Sequence, residues 1–216
     1  MITIIDNDVI FKLAKWDLLG ELTTLLGGDH RQIHHLPTCV HALCGRPARM
    51  RKTGCDEVTA VRIREFCGMT CPLHDQADST TLELLAGVPG IDAGEVQIFA
   101  VASTTPDSLS YLGDKRSLVA LCSMPPESRI AELLSGRVKC LEQVMGELML
   151  QEGAAAVGMK VLACDPAADM AITISFKGHP GMRDETEIWV ALQSYYQDLR
   201  NHTGKLLAPF PVAPRP

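Results

Sequence analysis

The chain has 216 residues, of which 46% are hydrophobic and 21% charged, and this composition is typical of a folded globular protein rather than a disordered one. Its formal net charge of −6 at pH 7 excludes a generally basic nucleic-acid coat but leaves room for a local basic strip. Aromatic residues make up only 5% of the chain, so we do not expect single strands to bind on a platform of stacked rings.

The sequence gives no indication of a membrane protein. A membrane span would need roughly 18 consecutive apolar residues, and the chain contains no such run, so we expect no membrane partner. The opening segment MITIIDNDVIF lacks the basic and apolar regions of a signal peptide. Without such a signal, the eight cysteines favour reduced thiols and a cytoplasmic location.

In the first part of the chain, short strands alternate with helices. The predicted strands are 2–5, 33–36 and 109–112. The predicted helices are 6–26, a helix beginning at 38, 56–66, 79–85, a helix beginning at 92 and 115–122, while 67–78 is predicted to be a loop. Strands separated by helices of this length predict parallel βαβ units with helices on both faces of the sheet.

Beyond Cys122 the pattern becomes mostly helical. Helices are predicted around 130–134, over 138–149 and over 184–200. The apolar segments 157–163 and 170–174 fit a strand or a buried helix equally well. The proline-rich end from residue 208 is predicted to be extended or disordered.

Three acidic residues stand at comparable places in the predicted fold. Asp6 follows the first strand, Glu95 lies at a helix start and Asp114 follows the third strand. Ligands of open parallel sheets bind beyond the carboxyl ends of the strands, so these side chains are expected to converge. Clustered carboxylates repel one another, and a hard dication such as Mg²⁺ relieves that repulsion. Such a site fits phosphodiester hydrolysis, with Asp8 and Asp92 as further candidate ligands.

A structural interpretation of the same acids stays open. Asp92 and Glu95 have the spacing of a capping box. Asp8 and Asp114 are equally suited to cap the helices that follow them. A cap and a metal ligand are not mutually exclusive, because one carboxylate can accept backbone hydrogen bonds and still contact an ion.

Three segments, IIDNDVIFKLA, GIDAGEVQIFAVAS and YLGDKRSLVAL, occur in that order within about residues 1–122. As an ordered set they resemble the PIN-domain family. The first is similar to the family's opening strand with its metal-binding Asp, here Asp6. The second is similar to its acidic residue before an alanine-rich helix, with Glu95 as the matching acid. The third is similar to its late strand ending in a Gly-Asp step, here Asp114.

The resemblance implies an α/β, PIN-like (flavodoxin-like) three-layer fold with a central parallel sheet over 1–122. It also implies a ribonuclease that depends on Mg²⁺ or Mn²⁺, with Asp6, Glu95 and Asp114 as catalytic metal ligands, RNA as substrate and a toxin role beside an antitoxin-like protein. Residues 123–207 are expected to be a mostly helical extension that binds a protein partner or forms a homodimer, and 208–216 a tail.

The sequence departs from the family pattern at one position. In LPTCVHALCG, Ala42-Leu43 stands where the pattern has Glu-Leu. Asp8, Asp92 and Glu57 are the candidates to replace the missing acid. The alternative is a weakened or inactive PIN-like module that binds protein or RNA.

Basic residues near these motifs are candidates for substrate binding. The segment GRPARMRK predicts either a strip that contacts phosphates without reading sequence or a solvated surface turn. Two further cations directly follow Asp114. The candidates are Arg46, Arg49, Arg51, Lys52, Lys115 and Arg116.

Other known site patterns receive little support. Cys67, Cys71 and His74 offer soft ligands to zinc, but their spacing matches no clear zinc knuckle, and a fourth ligand would have to come from Cys55 or Cys44. Free cysteines are commonly small buried apolar residues, so a zinc site is not expected. No Ser-His-Asp order, P-loop or dinucleotide fingerprint is present.

Overall fold

Five short parallel strands form the central sheet of the protein, whose computed structural model describes residues 1–74 and 77–213. The strands are β1 (Ile2–Ile5), β2 (Ile33–His35), β3 (Cys71–Pro72), β4 (Ser108–Leu112) and β5 (Val138–Cys140). Their order across the sheet is β3-β2-β1-β4-β5, and every pairing between neighbours is parallel. The prediction of an α/β protein with a parallel central sheet is therefore confirmed.

The strand order reverses direction between β1 and β4. From β1 the chain builds outward through β2 to β3, then returns to place β4 on the other side of β1, with Ile5 opposite Tyr111. The connections after β1 and β4 therefore leave the sheet toward different sides. A crevice forms at such a switch point, outside the carboxyl ends of the strands, and Asp6 and Asp114 follow these two strands.

Helices cover both faces of the sheet within the described residues. They are α1 (Asn7–Lys15), α2 (Leu19–Leu25), α3 (Cys39–Cys44), α4 (Pro47–Thr53), α5 (Glu57–Met69), α6 (Ser79–Ala86), α7 (Ala93–Thr104), α8 (Lys115–Cys122), α9 (Ile130–Leu133), α10 (Leu141–Glu152), α11 (Ala154–Leu162), α12 (Met170–Phe176) and α13 (Glu185–Thr203). None of the helices in the described part of the chain has the length and apolar character needed to cross a bilayer.

Two apolar clusters lie on opposite faces of the sheet. Ile4 belongs to one cluster and Ile5 to the other, because successive side chains of a strand point to opposite faces. The Ile5 cluster includes residues of α1, α2, α5, α10 and α13. The Ile4 cluster includes residues of α7 and α8. A strand that is buried on both faces is expected to be mostly apolar, and three of the four residues of β1 are isoleucine.

Several segments have a secondary structure that the sequence pattern does not predict or leaves open. Residues 138–149, predicted as one helix, divide into strand β5 and helix α10. The helical spacing of apolar residues in α10 extends back to Val138. Residues 138–140 nevertheless pair with Ser110 to Leu112 of β4, so the sheet rather than the local pattern determines their structure. The open segments 157–163 and 170–174 lie almost entirely in helices α11 and α12.

The segment 67–78, predicted as a loop, also contains regular structure. Helix α5 continues to Met69, and Cys71–Pro72 pairs with β2. The pairing is only two residues long, too short to leave a periodic signal. Residues 75 and 76 of this segment lie outside the described residues.

The part of the chain beyond residue 122 contributes to the same sheet and to both apolar clusters. At its end, the Ala208 amide donates to the Val138 carbonyl at 2.8 Å, and the Tyr196 hydroxyl donates to the Ala208 carbonyl at 2.9 Å. Phe210 packs against Tyr196 with ring centroids 5.0 Å apart. The predicted tail thus begins as a packed segment without helix or strand, and its residues 214–216 lie outside the described residues.

Candidate functional site

An acidic cleft of about 860 Å³ lies at the carboxyl ends of β1 and β4. Side chains from α1, α3, α4, α7 and the start of α8 form its walls. The five carboxyl side chains on its lining are Asp6, Asp8, Asp92, Glu95 and Asp114. The cleft therefore brings together the three acids singled out in the sequence and the two candidates beside them.

Asp6 is buried at the end of β1 and caps α1. Its Oδ1 accepts a hydrogen bond from the Asn7 amide at 2.7 Å, and its Oδ2 accepts one from the Asp8 amide at 3.3 Å. Only 7% of the residue is exposed. Burial, reinforced by the negative charges of Asp8 and Glu95, raises the pKa of Asp6 to about 7 despite these two bonds.

Glu95 is the second buried acid and comes from the first turn of α7. The Asp92 amide donates to its Oε2 at 2.8 Å, while Asp92 Oδ1 accepts from the Glu95 amide at 2.9 Å. This reciprocal pair is the capping box that the sequence predicted. Burial raises the pKa of Glu95 to about 7, with further contributions from the charges of Asp92 and Asp114.

Two of the outer acids, Asp114 and Asp8, differ because each has a cationic partner. Asp114 caps α8 and pairs with Arg116, whose Nη2 lies 2.8 Å from Asp114 Oδ2, and this hydrogen bond lowers the pKa of Asp114. Asp8 Oδ2 lies 2.6 Å from Lys12 Nζ. Within the described part of the chain, neither Asp6 nor Glu95 forms a salt bridge. Among the described residues, the carboxyl groups of Asp6 and Glu95 at the base of the cleft therefore lack a cationic partner.

Gly113 makes room for the acidic side chains. A Cβ atom at this position would lie 2.0 Å from Asp8 Oδ2 and 2.8 Å from its Cγ. A side chain at residue 113 would therefore require the Asp8 carboxylate to move from its present position. The Gly-Asp step thus has a steric role beside its part in the sequence motif.

The predicted basic candidates divide into two groups. Arg49 and Arg116 line the cleft, and Arg49 Nε donates to the Ala42 carbonyl, which ties α4 to α3. Lys115 instead pairs with the buried Glu142 and lies over the Tyr195 ring at 5.2 Å from its centroid. The remaining three candidates are exposed but do not line the cleft: Arg46, Arg51 and Lys52.

The position at which the family pattern has an acid does belong to the cleft. Ala42 of α3 lies on the cleft wall and supplies no oxygen ligand from its side chain. Glu57, a candidate substitute, points elsewhere, since it pairs with Arg64 at 3.0 Å and is 70% exposed. Asp8 and Asp92 remain as substitutes that line the cleft.

Two cleft residues were missed by the sequence analysis. Lys12 bridges Asp8 and Asp169, with Nζ 2.9 Å from Asp169 Oδ2, and the i,i+4 spacing of Asp8 and Lys12 is a recognisable helical ion-pair signal. Asn7 lines the cleft with its Oδ1 buried and without a hydrogen-bond partner among the described residues. No pattern in the sequence distinguishes Asn7 from an ordinary residue of a helix start.

The cleft lining offers carboxylate and amide oxygens, which are the ligands that hard cations prefer. Across residues 1–74 and 77–213, however, no group of three or more His, Cys, Asp or Glu side chains is arranged to hold a metal ion. This includes Cys67, Cys71 and His74, the residues considered for zinc.

Comparisons with protein-family models, with curated proteins and with solved structures gave no match for this chain. The assignment of a function therefore depends on the geometry and electrostatics of the acidic cleft.

Proposed function

We propose that this protein is a Mg²⁺- or Mn²⁺-dependent ribonuclease of the PIN type that hydrolyses RNA phosphodiester bonds in the acidic cleft. The observation that carries the proposal is the pair of buried carboxyl groups, Asp6 and Glu95, at the base of the cleft without cationic partners among the described residues. The role of a toxin in a toxin–antitoxin or defence system follows from the resemblance in sequence.

A buried carboxyl group without a positive charge nearby destabilises the folded protein when no ligand is bound. Asp6 and Glu95 are 7% and 4% exposed, and burial raises the pKa of both. Groups whose pKa values are shifted in this way cluster at functional sites, and a cationic ligand bound there would supply the missing charge. In the proposal that ligand is a divalent cation, held by Asp6 and Glu95 with Asp114 as the third carboxylate.

The cation, when bound, would polarise the scissile phosphate and lower the pKa of an attacking water. The protein's own residues prepare the site for RNA. The backbone amides of Asn7 and Asp8 fix the orientation of the Asp6 carboxylate. Arg116, whose side chain is 87% exposed, is free to exchange part of its contact with Asp114 for an RNA phosphate.

The direct test is cleavage of a broad panel of RNAs at millimolar Mg²⁺ or Mn²⁺. Wild-type protein is expected to cleave, and Asp6→Asn is expected to lose activity by at least about a hundredfold, the scale of effect seen when key electrostatic groups are removed. Glu57→Gln is the matched control, because Glu57 is an acid outside the cleft and its loss should leave cleavage unchanged. An RNA panel left intact by the wild type would refute the proposal.

Neighbouring cations allow a second control. Arg116→Gln should weaken RNA binding, whereas Lys115→Gln should not, because Lys115 is committed to Glu142. Lys115→Gln should instead lower the free energy of unfolding by about 1–3 kcal/mol, since it leaves a buried carboxylate without its partner. Filter binding and urea titration of both variants separate these effects. Equal losses of RNA binding would contradict the assigned roles.

A non-catalytic module that binds RNA or protein is the second candidate. Two observations favour it: Ala42 stands on the cleft wall at the position of the family's acid, and the described side chains form no ready cluster for a metal ion. Calorimetric titration with Mn²⁺ distinguishes the two candidates. Tight binding that is lost in Asp114→Asn would count against the non-catalytic module.

A further inference from the structure

A second cavity, of about 670 Å³, lies on the face of the sheet that α2 and α10 cover. Residues of β1, β4 and β5 form its floor, and residues of α2 and α10 form its walls. Within the described part of the chain, the linings of this cavity and of the acidic cleft have no residue in common. Its volume lies in the range of sites that bind small molecules.

The walls of this cavity are largely aliphatic. Two of the wall residues, Met1 and Leu150, are 76% and 45% exposed. Gln151 Nε2 donates to the Glu21 carbonyl at 3.2 Å, which joins α10 to α2 beside the cavity. A hydrocarbon chain that covers these walls would remove apolar surface from water, which favours binding. The aliphatic lining residues are Met1, Leu25, Leu26, Leu109 and Leu150.

A group of three polar side chains interrupts this aliphatic lining. Tyr111 and Lys139 are direct neighbours in the register of β4 and β5, so their side chains lie on the same face of the sheet. Lys139 Nζ donates to the Tyr111 hydroxyl oxygen at 3.3 Å and lies 2.5 Å from Glu147 Oε1. The side chains of this ion pair are only 16% and 19% exposed. The cavity therefore contains a partly buried and electrically neutral ion pair.

The polar group leaves one acceptor and one donor without a partner. Glu147 Oε2 is buried, and no hydrogen-bond partner for it is found among the described residues. The Tyr111 oxygen accepts from Lys139, but a phenol hydroxyl also has a hydrogen to donate. Because a buried polar atom without a partner costs free energy, a ligand that supplies both partners is favoured.

We propose that this cavity binds a neutral, mainly aliphatic molecule that carries a carboxamide group. The amide N–H donates to Glu147 Oε2, the amide carbonyl accepts from the Tyr111 hydroxyl, and the hydrocarbon chain covers the leucine side chains. Lys139 and Glu147 already neutralise each other, so a charged ligand would bring an unpaired charge into a partly buried site, which is costly. A carboxamide has its donor and acceptor on two atoms, which suits unmet groups on two side chains. This binding does not depend on the proposed ribonuclease activity.

The first experiment compares three probes with the same six-carbon chain. At pH 7 hexanamide is neutral, hexanoate is an anion and hexylamine is a cation. Each is titrated into methyl-labelled wild-type protein and followed by NMR. Hexanamide should shift the methyl resonances of Leu25, Leu26 and Leu109 saturably, with a Kd on the order of 1 mM for a ligand of this size. The two charged probes should bind at least about tenfold more weakly. The absence of saturable shifts with hexanamide, or equal affinities for the three probes, would overturn the proposal.

The second experiment tests the polar group and the aliphatic wall separately. Glu147→Gln keeps an oxygen for Lys139 but removes the negative charge, so the preferred probe should change from hexanamide to hexanoate. Leu150→Ser should weaken hexanamide binding by at least about threefold, because it removes apolar contact surface. Leu150 is 45% exposed, so this variant still decides the question if Glu147→Gln does not fold.

Leu133→Ser is the matched control for Leu150→Ser. Leu133 is a leucine with 47% exposure that does not line the cavity, and its replacement should leave hexanamide binding unchanged. An equal loss of binding in Leu133→Ser and Leu150→Ser would refute the location of the site. An unchanged order of the three probes in folded Glu147→Gln would refute the assigned role of the ion pair.

Discussion

Asp6 and Glu95 each cap a helix and are each placed where ionisation of the carboxyl group is unfavourable. Both carboxylates accept backbone hydrogen bonds at helix starts, which stabilises α1 and α7. Both are also buried within range of other carboxylates, and burial with these charges opposes their ionisation. The capping interpretation and the ligand interpretation of these acids are thus compatible, because the first concerns hydrogen bonds and the second concerns charge.

The raised pKa values predict how stability depends on pH. Below about pH 3, Asp6 and Glu95 are protonated in both the folded and unfolded chains. Between that pH and about 7 the unfolded chain releases these protons while the folded chain retains them, so the free energy of unfolding falls as the pH rises. Asp6→Asn keeps a good N-cap but removes the charge. At pH 8 its free energy of unfolding should therefore exceed that of the wild type. The difference should be at least about 1.4 kcal/mol for each unit by which folding raises the pKa of Asp6.

Urea titrations at pH 5 and pH 8 measure this difference. Asp56→Asn is the matched control, because Asp56 caps α5 but its pKa is lowered by a hydrogen bond from Thr59. That variant should be less stable than the wild type at pH 8, so its change in the free energy of unfolding should have the opposite sign to that of Asp6→Asn. Millimolar Mg²⁺ should stabilise the wild type at pH 8 and leave Asp6→Asn unchanged. If Asp6→Asn is the less stable protein at pH 8, the electrostatic account of the cleft is wrong.

At the scale of elements, the close approach of the β4–α8 turn to α1 depends on Gly113. A methyl group there would overlap the Asp8 carboxylate, whose Oδ2 contacts Lys12. Gly113→Ala should lower the free energy of unfolding by about 0.5–1 kcal/mol, because the Asp8 carboxylate would have to move away from Lys12. Gly68→Ala in α5 meets no atom within 4 Å and should stabilise by up to about 1 kcal/mol. Thermal unfolding of both variants checks the contrast, and a neutral Gly113→Ala would contradict this packing.

The elements also show what a sequence can and cannot predict. Strand β1 was predictable from its short, mostly apolar run, and helices α7 and α13 were predictable because an acidic cap precedes a segment rich in apolar residues. Strands β3 and β5 have two and three residues, and their existence depends on the partner strand rather than on local pattern. Likewise Asp6 and Asp114 could be predicted from strand ends, whereas the second partner of Lys12, Asp169, lies 157 positions away from it along the chain.

At the scale of the whole molecule, residues beyond 122 complete the sheet. The Ser110 amide of β4 donates to the Arg137 carbonyl at 2.9 Å, and β5 continues that pairing. Gln143, fully buried, accepts from the Cys140 amide at 3.0 Å and donates to the Ala208 carbonyl at 2.8 Å. These bonds join β5, α10 and the end of the described chain, so the two parts that the sequence suggested share one hydrogen-bonded sheet edge.

Because residues beyond 122 complete the sheet, we expect truncated chains to fold differently from the full chain. A fragment of residues 1–122 would leave β4 as an unpaired edge and expose apolar residues of both clusters, such as Tyr111 and Leu112. It should show no cooperative thermal transition by circular dichroism. A chain ending at residue 204 keeps β5 and α13 but loses Leu206 and Leu207, which are 2% and 4% exposed. It should unfold cooperatively with about 3 kcal/mol or more less stability, given the apolar surface removed. A cooperative transition in the 1–122 fragment would instead establish an independent domain with an extension attached to it.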